Sequence, residues 1–359
     1  MLHRVSAAII LLLCSCAAHG SDRDRQIEAI FRPLVSASSP GFAVLVLKHG
    51  RTVFERGYGL CDLETKAPIT PTTNFRLASI TKQFTAAAIM LLAREGKVRY
   101  DDTLTRFFPS FPSYGNAITI RELLTHTSGL PDYEDLYEAQ FPGTAAGTFP
   151  QISDAGVLEV LSRQPAGIFP PGARWRYSNS GYAMLAMIVE VASGTRFEDF
   201  LQQRIFRPLG MAHTVAFVKQ KNRVHQRAFG YIREKAGWQF RDQSDTSAVL
   251  GDGGVYSSLH DLAQWNAALE NHTLFSEAEM RPALEPVNAR REDGAPVQYG
   301  FGWFLDPYKS KPRMYHNGET SGFRTTIQRF TQDRLTIIIL ANRTDVDPEA
   351  LALRIADIF

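Results

Sequence analysis

Residues 74–93 read Asn-Phe-Arg-Leu-Ala-Ser-Ile-Thr-Lys-Gln-Phe-Thr-Ala-Ala-Ala-Ile-Met-Leu-Leu-Ala. From Ser79 onwards the stretch is rich in residues of high helix propensity, and the helix is predicted to end at Glu95-Gly96. Ser79 is therefore predicted at or near a helix N-terminus. Lys82 follows one helical turn later, so both side chains are predicted on the same side of the helix.

This pair has the chemistry of an activated nucleophile. In an enclosed pocket the Lys82 ammonium loses hydration, and a lysine shifted towards neutrality can accept the proton of the Ser79 hydroxyl. The positive end of the helix also favours negative charge as it develops at the serine. Taken alone, the stretch is also compatible with a helix-capping serine and a solvated lysine.

A second cluster, Tyr177-Ser178-Asn179, lies where a loop rich in proline and glycine meets a helix-length apolar segment at 181–189. A phenol near an ammonium group can ionise more easily and pass a proton to a leaving group. The Asn179 amide can hold Lys82 and a substrate carbonyl by hydrogen bonds. The same residues are also compatible with a packed aromatic ring and a helix cap.

The third cluster is His316-Asn317-Gly318, at the predicted start of a strand. Gly318 permits close backbone approach, and the strand edge can bind an acyl portion as an added strand. The backbone N–H of Glu319, together with that of Ser79, is predicted to form an oxyanion hole. His316 is a candidate to donate to a substrate carboxylate or to assist the tyrosine, although a histidine here can also be purely structural.

Strand patterns lie at both ends of the chain. Apolar and β-branched runs at 42–47 and 52–58 flank a short glycine-bearing turn, and two more runs are predicted as strands at 323–330 and 335–340. Apolar spacing at 27–34 predicts an amphipathic helix before the first hairpin. Because the middle of the chain is mostly helical, one sheet assembled from both ends is predicted beside a second lobe, with the site in the cleft between them.

A closing helix is predicted after the last hairpin, with Asp347 as its N-cap and Pro348 in its first turn. No linker of proline, glycine or serine divides the chain. Residues 21–359 are therefore assigned to one domain, with an α/β lobe at about 24–78 and 295–359 and a mainly helical middle region.

Composition places this chain of 359 residues among soluble globular proteins, with 44% hydrophobic and 21% charged residues. The formal net charge of +2 predicts binding neither to nucleic acid nor to an anionic membrane surface. The nine histidines show no His-x-x-x-His spacing and the three cysteines no Cys-x-x-Cys, so no metal or other cofactor is predicted. Gly-x-Ser-x-Gly is also absent, which disfavours an α/β-hydrolase elbow.

Residues 1–20 have the form of an export signal, because a basic residue precedes an apolar run too short to cross a bilayer. Small residues at positions 18 and 20 suit simple cleavage, whereas residues 13–16 resemble a lipoprotein box that would place a lipid anchor on Cys16. Both routes predict a secreted or periplasmic protein, and no later run reaches the length of a transmembrane helix. Simple cleavage leaves Cys61 alone, so no internal disulfide is predicted.

Together, in identity and order, the three clusters resemble those of the serine β-lactamase and penicillin-binding-protein superfamily. The closer resemblance is to the branch of class C β-lactamases, D-alanyl-D-alanine carboxypeptidases and related esterases, and it runs from about Arg25 to the C-terminus. It is also carried by Leu-Leu-Thr-His-Thr-Ser-Gly-Leu-Pro at 123–131, Gly-Gly-Val-Tyr-Ser-Ser at 253–258 and Tyr-Gly-Phe-Gly-Trp at 299–303. Most of these stretches are interpreted as structural, with His126 as a helix-end and turn residue.

The resemblance implies a β-lactamase/transpeptidase-like α/β (α+β) fold, with an antiparallel sheet formed from both chain ends and flanked by helices. Ser79 is then the acylated nucleophile, Lys82 its activating base and Tyr177 the proton relay. The implied substrate-binding residues are Asn179, His316, Gly318 and Glu319.

The implied function is that of an exported serine hydrolase that forms an acyl-enzyme on a D-amino-acid peptide or a small carboxylic ester. The third cluster lacks the Lys-Thr-Gly or Lys-Ser-Gly of most β-lactamases, and loss of that cation weakens the expected grip on a β-lactam carboxylate. β-Lactam hydrolysis is therefore the alternative within the class. A non-catalytic sensor of cell-wall fragments is the alternative from another class, although a sensor needs neither a base nor a relay.

Overall fold

The computed structural model of the protein describes residues 22–141 and 148–359. The strands of this part of the chain are Phe42–Lys48 (β1), Arg51–Tyr58 (β2), Leu60–Asp62 (β3), Ala67–Pro68 (β4), Phe75–Arg76 (β5), Val215–Ala216 (β6), Tyr231–Glu234 (β7), Gly237–Phe240 (β8), Val255–Ser257 (β9), Arg313–Thr320 (β10), Phe323–Phe330 (β11) and Leu335–Ala341 (β12).

The α-helices of the same part of the chain are Asp22–Phe31 (α1), Thr81–Arg94 (α2), Leu104–Phe107 (α3), Ile120–Leu124 (α4), Tyr133–Glu138 (α5), Asp154–Ser162 (α6), Asn179–Ser193 (α7), Phe197–Leu201 (α8), Leu250–Gly253 (α9), Leu259–Glu270 (α10), Glu277–Leu284 (α11) and Pro348–Ala356 (α12). Short 3-10 turns lie at Arg32–Leu34, Ala78–Ile80 and Ser113–Ala117, and a π-turn at Gln202–Phe206.

A five-stranded antiparallel sheet is built from both ends of the chain, in the order β10-β11-β12-β1-β2. β1 pairs with β12 along its whole length, from Phe42 opposite Ala341 to Lys48 opposite Leu335. This pairing confirms the predicted fold class. The predicted hairpins are β1-β2 and β11-β12, and the edge strand β10 begins three residues before His316. His316 therefore lies within a strand, whereas the sequence pattern had predicted it at the start of one.

The central strands are buried on both faces, as their nearly continuous apolar sequences require. Successive side chains of a strand point to opposite faces. On one face, Val44 and Ile339 pack into the cluster formed with helices α1 and α12. On the other face, Leu45 and Ile338 join the large core shared with the helical middle region.

Both terminal helices follow the predicted signals. The Asp347 side chain caps α12 by accepting a hydrogen bond from the Ala350 N–H at 3.1 Å, and Pro348 occupies the first helical position. Helix α1 ends at Phe31, and the chain continues through a single 3-10 turn that contains Pro33. Proline lacks the N–H that would extend the helix, which explains why it ends there.

The helical region is organised around α2 and α7, which carry the first two sequence clusters. Twelve of the fourteen residues of α2 are buried, so α2 is a core helix and not a surface helix. Helices α7 and α9 both pack against α2. Residues far apart in sequence are thereby brought to the N-terminal ends of α2 and α7, beside the sheet edge β10.

The predicted leader, with Cys16, lies outside the described residues. Cys61 carries a free, buried thiol. None of the helices within residues 22–141 and 148–359 is both long and apolar enough to cross a membrane.

Asn342 joins the sheet to the rest of the chain. Its side chain is fully buried, accepts from the Gly41 N–H at 2.8 Å, and donates to the carbonyls of Leu60 at 3.1 Å and Phe229 at 2.9 Å. Each of these backbone groups comes from a different segment of the chain. One amide therefore satisfies three buried polar groups that are close in space but distant in sequence.

Replacing Asn342 by Ala is expected to lower the free energy of unfolding by about 2–4 kcal/mol, because buried backbone groups lose their partners. Urea unfolding followed by circular dichroism measures the change. Asn288→Ala, at an exposed loop position, is the matched control and is expected to leave the free energy of unfolding within about 0.5 kcal/mol of the parent. A parent-like midpoint for Asn342→Ala would contradict the joining role of this amide.

Candidate active site

Ser79 lies on a tight turn between β5 and α2. Ala78 has a φ of +50°, a left-handed conformation that costs a non-glycine residue on the order of 1–3 kcal/mol. The surrounding structure holds this turn, because β5 pairs with β9 and the buried Arg76 guanidinium donates to the Gly253 carbonyl at 3.2 Å. The strain is thus kept at the residue that precedes the serine.

The Lys82 amine is buried and makes three hydrogen bonds. Its Nζ donates to the Oγ of Ser79 at 3.1 Å, the Oδ1 of Asn179 at 2.9 Å and the backbone carbonyl of Asp252 at 2.9 Å. The Lys82 side chain has no solvent-exposed surface. All three acceptors are uncharged oxygens, so the amine is held by polar groups without forming an ion pair.

The second cluster meets this lysine at the start of α7. Ser178 caps the helix by accepting from the Gly181 N–H at 3.1 Å, which places Asn179 in the first turn and aims its amide at Lys82. The Tyr177 ring lies half-buried, with Lys82 Nζ at 4.9 Å from its centroid. A phenol and an amine at this separation interact electrostatically through the ring face.

His126 is a residue whose place at the site the sequence did not indicate. It follows α4 with a φ of +62°, as expected of a helix-end and turn residue. Its Nδ1 also accepts from the Ser178 N–H at 3.1 Å, and its ring lies 4.4 Å from that of Tyr177. Burial lowers the pKa of His126 well below its usual value, and the charge of Lys82 acts in the same direction. His126 is therefore a neutral support for the tyrosine.

His316 lies at the site, and both of its ring nitrogens have partners within the protein. The ring is 2% exposed, with Nε2 at 3.1 Å from the Tyr299 hydroxyl and Nδ1 at 2.6 Å from the Asn317 carbonyl. Nδ1 therefore donates to the carbonyl, and Nε2 accepts from the phenol. Burial and the charge of Lys82 lower the pKa of His316 to about 3. Both ring nitrogens are engaged within the protein, and the ring is neutral.

Gly318 brings the sheet edge against the serine turn. A Cβ at this position would lie 2.1 Å from the Leu77 carbonyl oxygen and 2.2 Å from the Thr325 Oγ1, so only glycine fits. Glu319, the next residue of β10, lines the same cleft as Ser79. Its side chain is largely exposed and pairs with Arg324 at 2.6 Å, so any contribution to the site comes from its backbone.

A buried carboxylate behind the site was also not found from sequence. Asp252 accepts from the Tyr133 hydroxyl at 2.9 Å, and its own carbonyl accepts from Lys82. Burial raises the pKa of the Asp252 carboxyl, although the charge of Lys82 opposes this. Glu134, at the solvent side of the cleft, has its pKa raised to about 7 by desolvation and by the neighbouring carboxylates. Two carboxyl groups with raised pKa values therefore lie beside Ser79, and the buried Arg76 guanidinium lines the same cleft.

No His, Cys, Asp and Glu side chains in the described ranges form a group of three or more that could hold a metal ion. The polar groups available for chemistry are those of the serine, lysine, tyrosine and asparagine. An antiparallel sheet beside a helical region, with serine and lysine one turn apart at their junction, defines a class of serine hydrolases.

Comparison with known proteins identifies the family. A family model described as Beta-lactamase matches residues 27–358. Penicillin-binding protein 4* of Bacillus subtilis is 33% identical over 349 residues, which cover 94% of this chain and 76% of that protein. A D-aminopeptidase of Cereibacter sphaeroides is 29% identical over 328 residues, which cover 89% of this chain and 59% of that protein.

Solved structures agree with the family match. An octameric penicillin-binding protein homologue from Pyrococcus abyssi superposes with a TM-score of 0.80 at 25% identity, covering 94% of this chain and 77% of that one. A D-amino acid amidase from Ochrobactrum anthropi SV3 superposes with a TM-score of 0.76 at 23% identity, covering 94% and 98%, and shows the same fold. The chain belongs to the Beta-lactamase family and is a serine hydrolase of that family.

Acidification is expected to destabilise the fold through His316. Its pKa is about 3 in the folded protein, against the ordinary 6.5, so the unfolded chain binds a proton between these values that the folded chain does not. This stabilising contribution is fully present above pH 6.5 and is lost as the pH falls towards 3. We expect His316→Gln to lose less stability than the parent between pH 7 and pH 5, by about 2 kcal/mol, in urea unfolding.

His260→Gln is the matched control, because the His260 side chain is 62% exposed. It is expected to retain the pH dependence of the parent. An equally steep loss of stability in His316→Gln would show that another group is responsible.

Proposed function

We propose that the protein cleaves amide or ester bonds of D-amino-acid substrates through a covalent acyl-enzyme on Ser79. The observation that carries the proposal is the 3.1 Å hydrogen bond from Lys82 Nζ to Ser79 Oγ, in a buried site where Asn179 and a backbone carbonyl hold the same amine. A fixed amine beside a hydroxyl is what general-base activation of a serine requires.

In the acylation step, Lys82 first releases the proton that it donates to Ser79 Oγ, and the neutral amine then accepts the Ser79 hydroxyl proton as Oγ attacks the substrate carbonyl carbon. The backbone N–H groups of Ser79 and Glu319 stabilise the oxyanion, because the edge of β10 lies against the serine turn. As the tetrahedral intermediate collapses, the bond to the leaving nitrogen or oxygen breaks. Tyr177 passes its phenolic proton to that atom and becomes a phenolate, while Lys82, beside its ring, keeps the proton taken from Ser79.

In the deacylation step, water replaces the leaving group. Tyr177, as phenolate, accepts a proton from the water, whose oxygen attacks the acyl carbon. Collapse of the second tetrahedral intermediate breaks the bond to Ser79 Oγ, which takes back a proton through Lys82. Acid and base roles are reversed relative to acylation, as expected for one relay that serves both half-reactions.

The preference for D-amino-acid substrates is supported by the relatives. One of them is named as a D-aminopeptidase. The third cluster provides a neutral, engaged His316 and no lysine, so the cation that most β-lactamases place there is missing from this chain. A β-lactam carboxylate therefore loses a strong charge-assisted contact at that position.

We also infer that the protein is exported, and this inference rests on the leader-like sequence at residues 1–20. Export would place the enzyme outside the cytoplasm, where D-amino-acid peptides, the proposed substrates, occur. The mass of the N-terminal peptide of the purified native protein distinguishes simple cleavage from a lipid on Cys16.

Intact-mass analysis after exposure to a fluorophosphonate tests the acyl-enzyme. We expect one adduct in the parent, none in Ser79→Ala, and an acylation rate constant lowered roughly 10²–10⁴-fold in Lys82→Met, because the base is lost. Lys235→Met, at an exposed position, is the matched control and should react like the parent. Absence of an adduct in the parent would contradict the nucleophile and favour a non-catalytic binder.

Substrate class is tested with a D-alanyl anilide, its L-isomer, a short acyl ester and nitrocefin. We expect turnover of the D-anilide to exceed that of the L-isomer and of nitrocefin, with every activity absent in Ser79→Ala. Faster turnover of nitrocefin than of the D-anilide would make β-lactam hydrolysis the function. A Ser79 adduct with penicillin that forms quickly and is released over hours would instead favour a sensor.

A further inference from the structure

A separate pocket lies where the edge of the large sheet meets helices α10 and α11. We call it the Arg329 pocket, and its volume is about 370 Å³, within the usual range for sites that bind small molecules. Among the described residues, none lines both this pocket and the cleft beside Ser79. The residues on which its chemistry depends are Leu269, Glu270, Met280, Leu284, Met314 and Arg329.

The register of the sheet directs Arg329 into the pocket. Arg329 of β11 stands opposite Met314 of β10 and Thr336 of β12. Directly opposed residues have their side chains on the same face of a sheet, and all three line the pocket. The buried Asn266 of α10 accepts from Arg329 Nε at 2.8 Å and from Thr336 Oγ1 at 2.9 Å. A helix therefore fixes the orientation of the guanidinium on the sheet.

This guanidinium is a buried charge without an ionic partner. Arg329 is 8% exposed, and it forms no salt bridge with any residue in the ranges 22–141 and 148–359. Its Nη1 donates to the sulfur of Met314 at 3.0 Å, and a thioether is only a weak acceptor. Its Nη2 has no acceptor in the same part of the chain. One edge of the guanidinium is thus available to a ligand.

The other charged groups of the pocket do not neutralise Arg329. Burial lowers the pKa of Arg329 to about 10, and the charge of Glu270 acts in the opposite direction, so the group is positive at neutral pH. Glu270 itself pairs with Arg334, through Oε1 and Nε at 2.5 Å. His272 and Glu277 are exposed, where water and salt screen their charges. Since an unpaired buried charge is costly, an anion that reaches Arg329 is stabilised there.

The remaining walls of the pocket are apolar and adaptable. Leu269, Met280 and Met314 belong to the border of the large core, and methionine side chains adjust to irregular shapes. Leu284 is 41% exposed and forms the solvent side of the pocket. An apolar chain can therefore lie along these side chains while its charged end reaches Arg329.

One cation among apolar walls matches a single negative charge on an apolar molecule. A carboxylate can accept two parallel N–H bonds from the free edge of a guanidinium. A phosphate dianion would carry a second negative charge, and Arg334 already pairs with Glu270. A neutral alcohol or amide would leave the charge of Arg329 unpaired.

We propose that the Arg329 pocket is a second ligand site, which binds an amphiphilic monocarboxylate such as a medium-chain fatty acid. The carboxylate bonds to Arg329, and the tail packs against the leucine and methionine side chains of α10, α11 and β10. Binding here is non-covalent and does not depend on the chemistry proposed for Ser79.

Octanoate and octanamide are matched probes, because they share a tail and differ in charge. In calorimetric titration of the full protein, we expect octanoate to have a Kd roughly tenfold below that of octanamide. Arg329→Gln, which keeps a donor for Asn266, should lose this preference. Arg223→Gln, at an exposed position, is the control and should keep it. Equal binding of both probes by the parent, no binding of octanoate, or a retained preference in Arg329→Gln would each overturn the proposal.

A pair of variants at Leu284 tests the pocket without altering its buried charge. Leu284→Glu and Leu284→Gln remove the same apolar surface, and only the first adds a negative charge at the solvent side. We expect the Kd of octanoate to be roughly threefold higher or more in Leu284→Glu than in Leu284→Gln, with equal values for octanamide. Equal octanoate affinity in the two variants would contradict binding in this pocket.

Nuclear magnetic resonance of protein labelled at the methyl carbon of methionine shows where octanoate binds. We expect octanoate to shift the resonances of Met280 and Met314, assigned by substitution with leucine, and to leave Met184, buried in α7, unchanged. Ser79→Ala should show the same shifts. Shifts confined to other methionines, or shifts that disappear in Ser79→Ala, would place octanoate elsewhere and overturn the proposal.

Discussion

The Lys82 amine is the point where three parts of the chain are joined. It bonds to the serine of its own helix, to Asn179 at the start of α7 and to the Asp252 carbonyl at the end of α9. In its charged form the buried lysine has three N–H donors, and each one left without an acceptor would cost on the order of 1–3 kcal/mol. The positions of the three elements are therefore coupled: moving any one of them leaves the lysine with an unsatisfied donor and moves the nucleophile from its base.

The sheet supplies the other fixed element. The pairing of β1 with β12 joins the two ends of the chain in one sheet. Gly318 lets the edge strand β10 touch the strained turn before Ser79. The sheet core is rigid and apolar, so the edge is presented at a constant distance from the helical region. Asn342 adds to this rigidity, because its side chain hydrogen-bonds to the backbone of Gly41 and of Phe229. An oxyanion hole made from two backbone N–H groups requires this kind of rigidity, because side-chain adjustment cannot correct an error in backbone position.

Sequence patterns predicted the parts whose signals are local. Both hairpins, the cap at Asp347 and the helix after Ser79 follow from neighbouring residues, and the chain ends were correctly expected to share a sheet. The supports of the site were not predicted, since they depend on pairs distant in sequence. His126 meets Ser178 across 52 positions, and Tyr133 meets Asp252 across 119. His316 was predicted at the site, but its engaged and neutral state depends on Tyr299, whose hydroxyl no pattern placed beside it.

The neutral His316 ring leaves Lys82 without a second positive charge beside it. Burial makes a charged His316 ring unfavourable and the charge of Lys82 adds repulsion, and the low pKa of His316 reflects both effects in that order. The edge of β10 then offers its backbone donors and acceptors to a substrate, and the His316 ring adds no positive charge beside Lys82.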